Sequence, residues 1–174
     1  MSSCSQSKGQ TILQHGEAVA ARYKDLIGEQ KMEWRLPDWF DLDYLLPLCP
    51  PAEIMEQYHI YHDCGKPYCV TVDDEGRQHF PDHARISAAI WRVNGGSEQI
   101  AELIQRDMDM HTIKPADAAG YDRMDLAPAL LLTALSELHA NAEMFGGIES
   151  TSFKIKFKAL NKVGRNIINK LKGN

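Results

Sequence analysis

The run His62-Asp63-Cys64-Gly65-Lys66-Pro67 sets an imidazole beside a carboxylate, one borderline and one hard ligand for a divalent ion. His15 upstream, His83 and His111 downstream and Glu137 further on extend this to four histidines and two carboxylates, enough for one ion or two. A metal held by nitrogen and oxygen rather than by thiolates usually keeps a position open for water. That points to hydrolysis.

Each candidate has a competing structural role. Adjacent helical side chains diverge by roughly 100°, so His62 and Asp63 reach one ion only where a helix end points at it. Pro67 supports such an end, because proline disfavours helical geometry in the residue before it. The alternative is a buried His–Asp hydrogen-bonded pair. His15 lies on an apolar helical face, where histidines are often core residues. His83 stands at a helix start and could bind metal, bind phosphate or cap the chain. His111 follows Asp107 by four residues, so that carboxylate could orient its imidazole, whereas Asp109 should face elsewhere. Glu137 sits in the apolar stretch 129–140 and must be paired, liganded or at a wet edge. His139, two positions on, should look away.

The elements that position these residues read as helices. The spacing predicts a first helix from about Gly9 to Ile27, one from Ala52 to Tyr61 that delivers the His-Asp doublet, and one from His83 to about Val93 closed by Asn94-Gly95-Gly96. Ser97 is suited to cap the next, which carries Ile100, Leu103, Ile104, Met108 and His111 on one side. Pro115 to Asp125 reads as loop, and Leu126 to Phe145 as an apolar helix stopped by Gly146-Gly147. Phe153, Phe157, Leu160, Ile167 and Leu171 define a last helix with its lysines outward. Residues 68–80 form a hairpin around the acidic turn Asp73-Asp74-Glu75-Gly76. The expected fold is all-α with that one β-hairpin, in a single domain over 1–174. The aromatic segment Trp34 to Pro51 is expected to cover a pocket, stack on a base or seal the core or a homodimer interface.

Composition narrows the function classes. No apolar run reaches the roughly 18 residues that cross a bilayer. The polar stretch Met1 to Gln10 lacks a signal peptide's apolar core and reads as a frayed end, so a cytoplasmic location and no membrane partner are expected. Cys4, Cys49, Cys64 and Cys69 form no Cys-x-x-Cys unit and read as free thiols, with Cys64 turned away from the ligand pair. Net charge is −5, yet residues 150–174 hold seven basic side chains and no acidic one, against 12 basic and 24 acidic in the rest. That end is either an anion-attracting surface or a solvated helix face.

With those residues in order, the chain resembles the HD-domain superfamily of metal-dependent phosphohydrolases over about 130 of its 174 residues. Its local motifs are most similar to the HD domain of bacterial tRNA nucleotidyltransferases, through residues 62–67, the acidic turn 73–76 and Phe80-Pro81-Asp82-His83 with Ser87-Ala88. The resemblance implies that His15, His62, Asp63 and a late acid bind one divalent ion, with His83 and His111 matching the histidines of a second site. The family's late residue is usually aspartate, whereas Glu137 stands here, with Asp122 and Asp125 as other carboxylates.

The expected activity is hydrolysis of a phosphate ester or anhydride of a (deoxy)nucleotide by metal-activated water, the ion being Mn²⁺, Co²⁺, Zn²⁺, Fe²⁺ or Mg²⁺. Asp63, His83 and His111 are the candidate catalytic residues. Lys66, and less so Arg85, would neutralise charge on the transferring phosphoryl group. The alternatives are a phosphodiesterase on cyclic (di)nucleotides or an RNA end, an HD-type diiron oxygenase, and a non-catalytic binding module with a structural metal.

Overall fold

The computed structural model describes Met1, residues 4–7 and residues 9–173, the side chains of 5–7 excepted. The fold is all-α with small β-hairpins. Two compact units interleave along the chain: Met1–Ala20 with Ala52–Met108, and Ala21–Pro51 with Asp109–Asn174. A single domain was expected; the described residues group into these two units. No helix among the described residues is long and apolar enough to cross a membrane.

The first unit opens with a ribbon, β1 (Ser5–Ser7) against β2 (Gln10–Thr11), where a frayed end was expected. Helix α1 (Ile12–Ile27) starts three residues later than the periodicity indicated, and the reason is a capping box. Thr11 Oγ1 accepts from Gln14 N–H at 3.2 Å, and Gln14 Oε1 accepts from Thr11 N–H at 2.9 Å. The first part of α1 belongs to this unit and its last turns to the other.

Helix α2 (Leu42–Leu45) lies in the second unit. Helix α3 (Ala52–Tyr61) has the expected bounds, and Pro67 sits in the one-turn 3-10 segment Lys66–Tyr68 that follows. The hairpin β3 (Thr71–Val72) with β4 (Gln78–His79) pairs antiparallel. Its turn is organised by Asp73, whose carboxylate accepts from Glu75 N–H, Arg77 N–H and the Arg77 and His79 side chains. Helix α4 (His83–Val93) also has the expected bounds and packs mainly on α5 (Glu98–Gln105). Ser97 holds the N-cap position, but its side chain makes no capping bond; its carbonyl accepts from Trp91 Nε1 at 3.1 Å.

Helix α5 stops at Gln105 and a separate turn, α6 (Asp109–Thr112), carries His111 into the second unit. The expected continuous helix through Met108 to His111 is therefore broken, and Asp107 and His111 do not share one helical face. In the second unit, α7 (Ala127–Ala140) is buried nearly all round, then passes through a 3-10 turn (Ala142–Phe145) to Gly146 and Gly147, both at positive φ. The loop 115–125 contains a 3-10 turn at Ala118–Gly120. Helix α8 (Thr151–Leu171) is capped by Ser150, which accepts from Phe153 N–H at 3.1 Å, and buries Phe153, Leu160, Val163, Ile167 and Ile168. Trp39 is buried against Gly164 of α8, where any Cβ would collide with the indole. The aromatic segment thus contributes to sealing this unit's core.

Candidate metal centre

His15, His62 and Asp63 converge in the first unit, each at most 1 % exposed, with one ligand atom from each lying within 4.8 Å of the others. Asp63 Oδ2 is 3.3 Å from His62 Nε2 and 3.7 Å from His15 Nε2. Donor atoms bound tetrahedrally at about 2.1 Å from one ion lie roughly 3.4 Å apart, so these separations fit a shared cation. His83 approaches the other oxygen, with Nε2 3.5 Å from Asp63 Oδ1, and its side chain is 14 % exposed.

Hydrogen bonding decides which nitrogen each ring presents. His62 Nδ1 lies 2.7 Å from the His59 carbonyl and His83 Nδ1 lies 2.9 Å from the Phe80 carbonyl. A carbonyl only accepts, so both Nδ1 atoms carry protons. Each Nε2 then meets the carboxylate either with a second proton or with a bare lone pair. Two lone pairs at such distances repel; a cation between them, proton or metal, makes the arrangement favourable.

Lys66 adds a standing positive charge. Its buried Nζ is 2.6 Å from Asp63 Oδ2 and lies over the Phe80 ring at 5.3 Å. Burial alone would raise the Asp63 pKa, yet His62, Lys66 and His15 together hold it well below the ordinary carboxylate range. Arg85 is turned away, paired at the surface with Asp82 at 2.5 Å. Cys64 points to the Ser87 carbonyl at 3.5 Å, and all four cysteines are free.

Two glycines let the elements come this close. A Cβ on Gly16 would lie 2.4 Å from the Ile60 carbonyl oxygen and 2.8 Å from that of His59, so α1 can bring His15 to His62 only with glycine at 16. A Cβ on Gly65 would lie 2.5 Å from Ser87 N; Gly65 N–H donates to Ser87 Oγ at 2.8 Å, which ties the doublet to the helix that carries His83. Neither role was read from the sequence. The signal available was a glycine inside the helical pattern of α1, which alanine would otherwise stabilise by about 1 kcal/mol. Tyr58 donates to Asp107 Oδ1 at 2.5 Å, where Asp107 was expected to orient His111.

His111 and Glu137 form their own pair in the second unit, Nε2 to Oε2 at 3.0 Å. Glu137 thereby has the partner its apolar helix demands. Asp109 accepts from the Tyr121 hydroxyl at 2.7 Å, and Asp125 is occupied by Arg123 at 2.9 Å. His139 is buried beside Trp34 and Phe153, its Nδ1–H donating to the Leu135 carbonyl and its Nε2 accepting from Arg35 N–H. Comparison with family models, curated proteins and solved structures gives no match.

Proposed function

We propose that the chain is a metal-dependent phosphohydrolase of the HD type that cleaves a phosphate ester or anhydride of a (deoxy)nucleotide. The observation that carries this reading is the approach of three imidazole Nε2 atoms to one buried carboxylate, with two of the rings fixed by carbonyls on their other nitrogen. The ligand chemistry, nitrogen-rich with one carboxylate, fits Mn²⁺, Co²⁺, Zn²⁺ or Fe²⁺ better than Mg²⁺. His15, His62 and Asp63 would hold one ion, and His83 on the second carboxylate oxygen favours a further one. When bound, the metal supplies an activated water and charge stabilisation at a phosphoryl oxygen.

The chain's own residues do the rest. Asp63 orients both the ligand rings and Lys66. The Lys66 ammonium is placed to shift from Asp63 toward phosphoryl oxygens as their charge develops. His83, the most exposed of the three imidazoles, is fixed by the Phe80 carbonyl on Nδ1 and presents Nε2 beside Asp63 Oδ1, where it would help hold that further ion close to the substrate. His111 with Glu137 remains a candidate second imidazole–carboxylate pair. The burial of His15, His62 and Asp63 also supports one competing reading, a closed structural metal in a binding module.

Purified protein, analysed for metal and then screened with each divalent ion against nucleoside mono- and triphosphates, 2′,3′-cyclic nucleotides and cyclic dinucleotides, separates the readings. Expected is phosphate release from a free nucleotide that a chelator abolishes. A tightly held ion with no turnover of any ester would leave the structural reading, and oxygen-dependent turnover with two irons would leave an oxygenase.

A further inference from the structure

Helix α8 carries an outward ridge that the candidate metal centre does not use. At 3.6 residues per turn, Lys154, Lys158, Lys162, Arg165 and Lys172 fall on one side, opposite the buried Leu160, Val163 and Ile167, and all five are exposed. The helix has no acidic residue. Lys154 reaches Glu149 at 2.7 Å, Arg165 pairs with Asp38, and Lys172 reaches Asp41 at 3.1 Å. Lys158 and Lys162, at the centre, have no ion pair among the described residues. Lysines spaced by four repel one another and weaken a helix, whereas an ordinary surface helix intersperses glutamates. This ridge favours a polyanion over an isolated fold.

Beside its C-terminal half lies a cleft of about 410 Å³, within the same unit, walled by Trp39, Phe40, Ile168, Asn169, Asp38 and Asp41, with Arg165 and Lys172 at its edge. No local pattern records that Trp39 and Phe40 meet the basic end of the chain. An aromatic wall with an amide suits an unstacked base, and the two carboxylates would repel a phosphate but accept from a base amino group or a sugar hydroxyl. The apolar face of α8 is mostly spent on the core, and the exposed Ile155 alone is too little to carry the helix into a lipid layer.

We propose that the α8 ridge and this cleft bind single-stranded nucleic acid, with backbone phosphates on Lys158 and Lys162 and one base against Phe40. The proposal rests on the second unit and stands apart from the hydrolase reading. Its test is binding of a labelled RNA of about 12 nucleotides to the full chain, in chelator, across a salt series. Expected are a micromolar-range affinity that falls with salt and a K158Q/K162Q variant that loses about tenfold. That variant should also flatten the log–log salt slope by about 1.4, since each lost contact on a single strand removes about 0.7. F40A should weaken binding about fivefold or more with the slope kept. K156Q/K170Q, the same charge change on other sides of the helix, should cost little. Circular dichroism checks that each variant keeps its helices. Equal losses in both lysine pairs, an unchanged slope in K158Q/K162Q, no effect of F40A in a folded variant, or tighter binding to vesicles of about one-third anionic lipid than to RNA would overturn it.

Discussion

His62 in the first unit and His139 in the second are both buried, and both give the Nδ1 proton to a carbonyl about one turn back, His59 at 2.7 Å and Leu135 at 2.8 Å. They differ at Nε2. That of His139 accepts from Arg35 N–H at 3.0 Å, between the rings of Trp34 and Phe153, and burial brings its pKa down to about 4 against the pull of the Leu135 carbonyl. That of His62 faces a carboxylate oxygen at 3.3 Å, with His15 at the same oxygen and His83 at its neighbour. A histidine whose second nitrogen is answered by a backbone donor has a complete role in the fold. One whose second nitrogen meets an anion gains from a cation in the gap, and the His15, His62 and Asp63 cluster could hold one.

Removing the anion breaks the comparison most severely. Asp63→Ala takes away the charged ligand and leaves the Lys66 ammonium buried without it. Metal retention after dialysis should vanish and any phosphohydrolase turnover should fall by about 10³-fold or more, while far-UV circular dichroism stays helical. Leaving a buried cation unpaired destabilises by about 3–5 kcal/mol, so Asp63→Asn, which keeps the volume and the acceptor, is the companion variant. Stoichiometric metal in both would refute the site.

Gly16→Ala tests the same contrast through the backbone. The added methyl meets the Ile60 and His59 carbonyl oxygens, so α1 must move away from α3 and carry His15 off His62. Metal affinity measured by titration calorimetry should drop about 10–100-fold, with a stability loss of about 1–3 kcal/mol. The atoms nearest the added methyl, the Ile60 and His59 carbonyls, belong to α3 in the first unit, so the His139 surroundings should keep their near-UV signature. An unchanged metal affinity would show that the His15 approach is not required.

What the sequence disclosed and what it withheld follow from range. The bounds of α3 and α4 and the placement of His62 and Asp63 at a helix end were legible, because proline, glycine pairs and helical periodicity act locally. His15 was a candidate from its place on an apolar face, but its approach to Asp63 depends on Gly16 meeting Ile60, 44 residues away in sequence, which no local pattern records. The break after Gln105 was missed because the apolar spacing of α5 runs on through Met108 without proline or glycine to mark the stop. Glu137 was expected as a metal ligand, on the ground that a carboxylate in so apolar a helix must be paired, liganded or at a wet edge; His111 lies 3.0 Å from it, a pairing that spacing could not record.

The smallest expected effect on metal is the most informative about His139. His139→Gln replaces a neutral buried imidazole with a side chain that stays neutral at every pH, and metal affinity should not change. Stability should. The folded-state pKa of about 4 lies below the ordinary 6.5, so between those values the unfolded chain binds more protons than the folded one. Stability is therefore full above pH 6.5, declines as pH falls through that window, and by pH 4 has lost up to about 3 kcal/mol from this group. Urea melts at pH 7.0, 5.5 and 4.5 should show that decline in the wild type, and a shallower one in His139→Gln after the Asp and Glu contribution common to both is subtracted. If the two profiles run parallel, His139 takes up a proton in the folded state as easily as in the unfolded one, and its similarity to His62 would extend to Nε2.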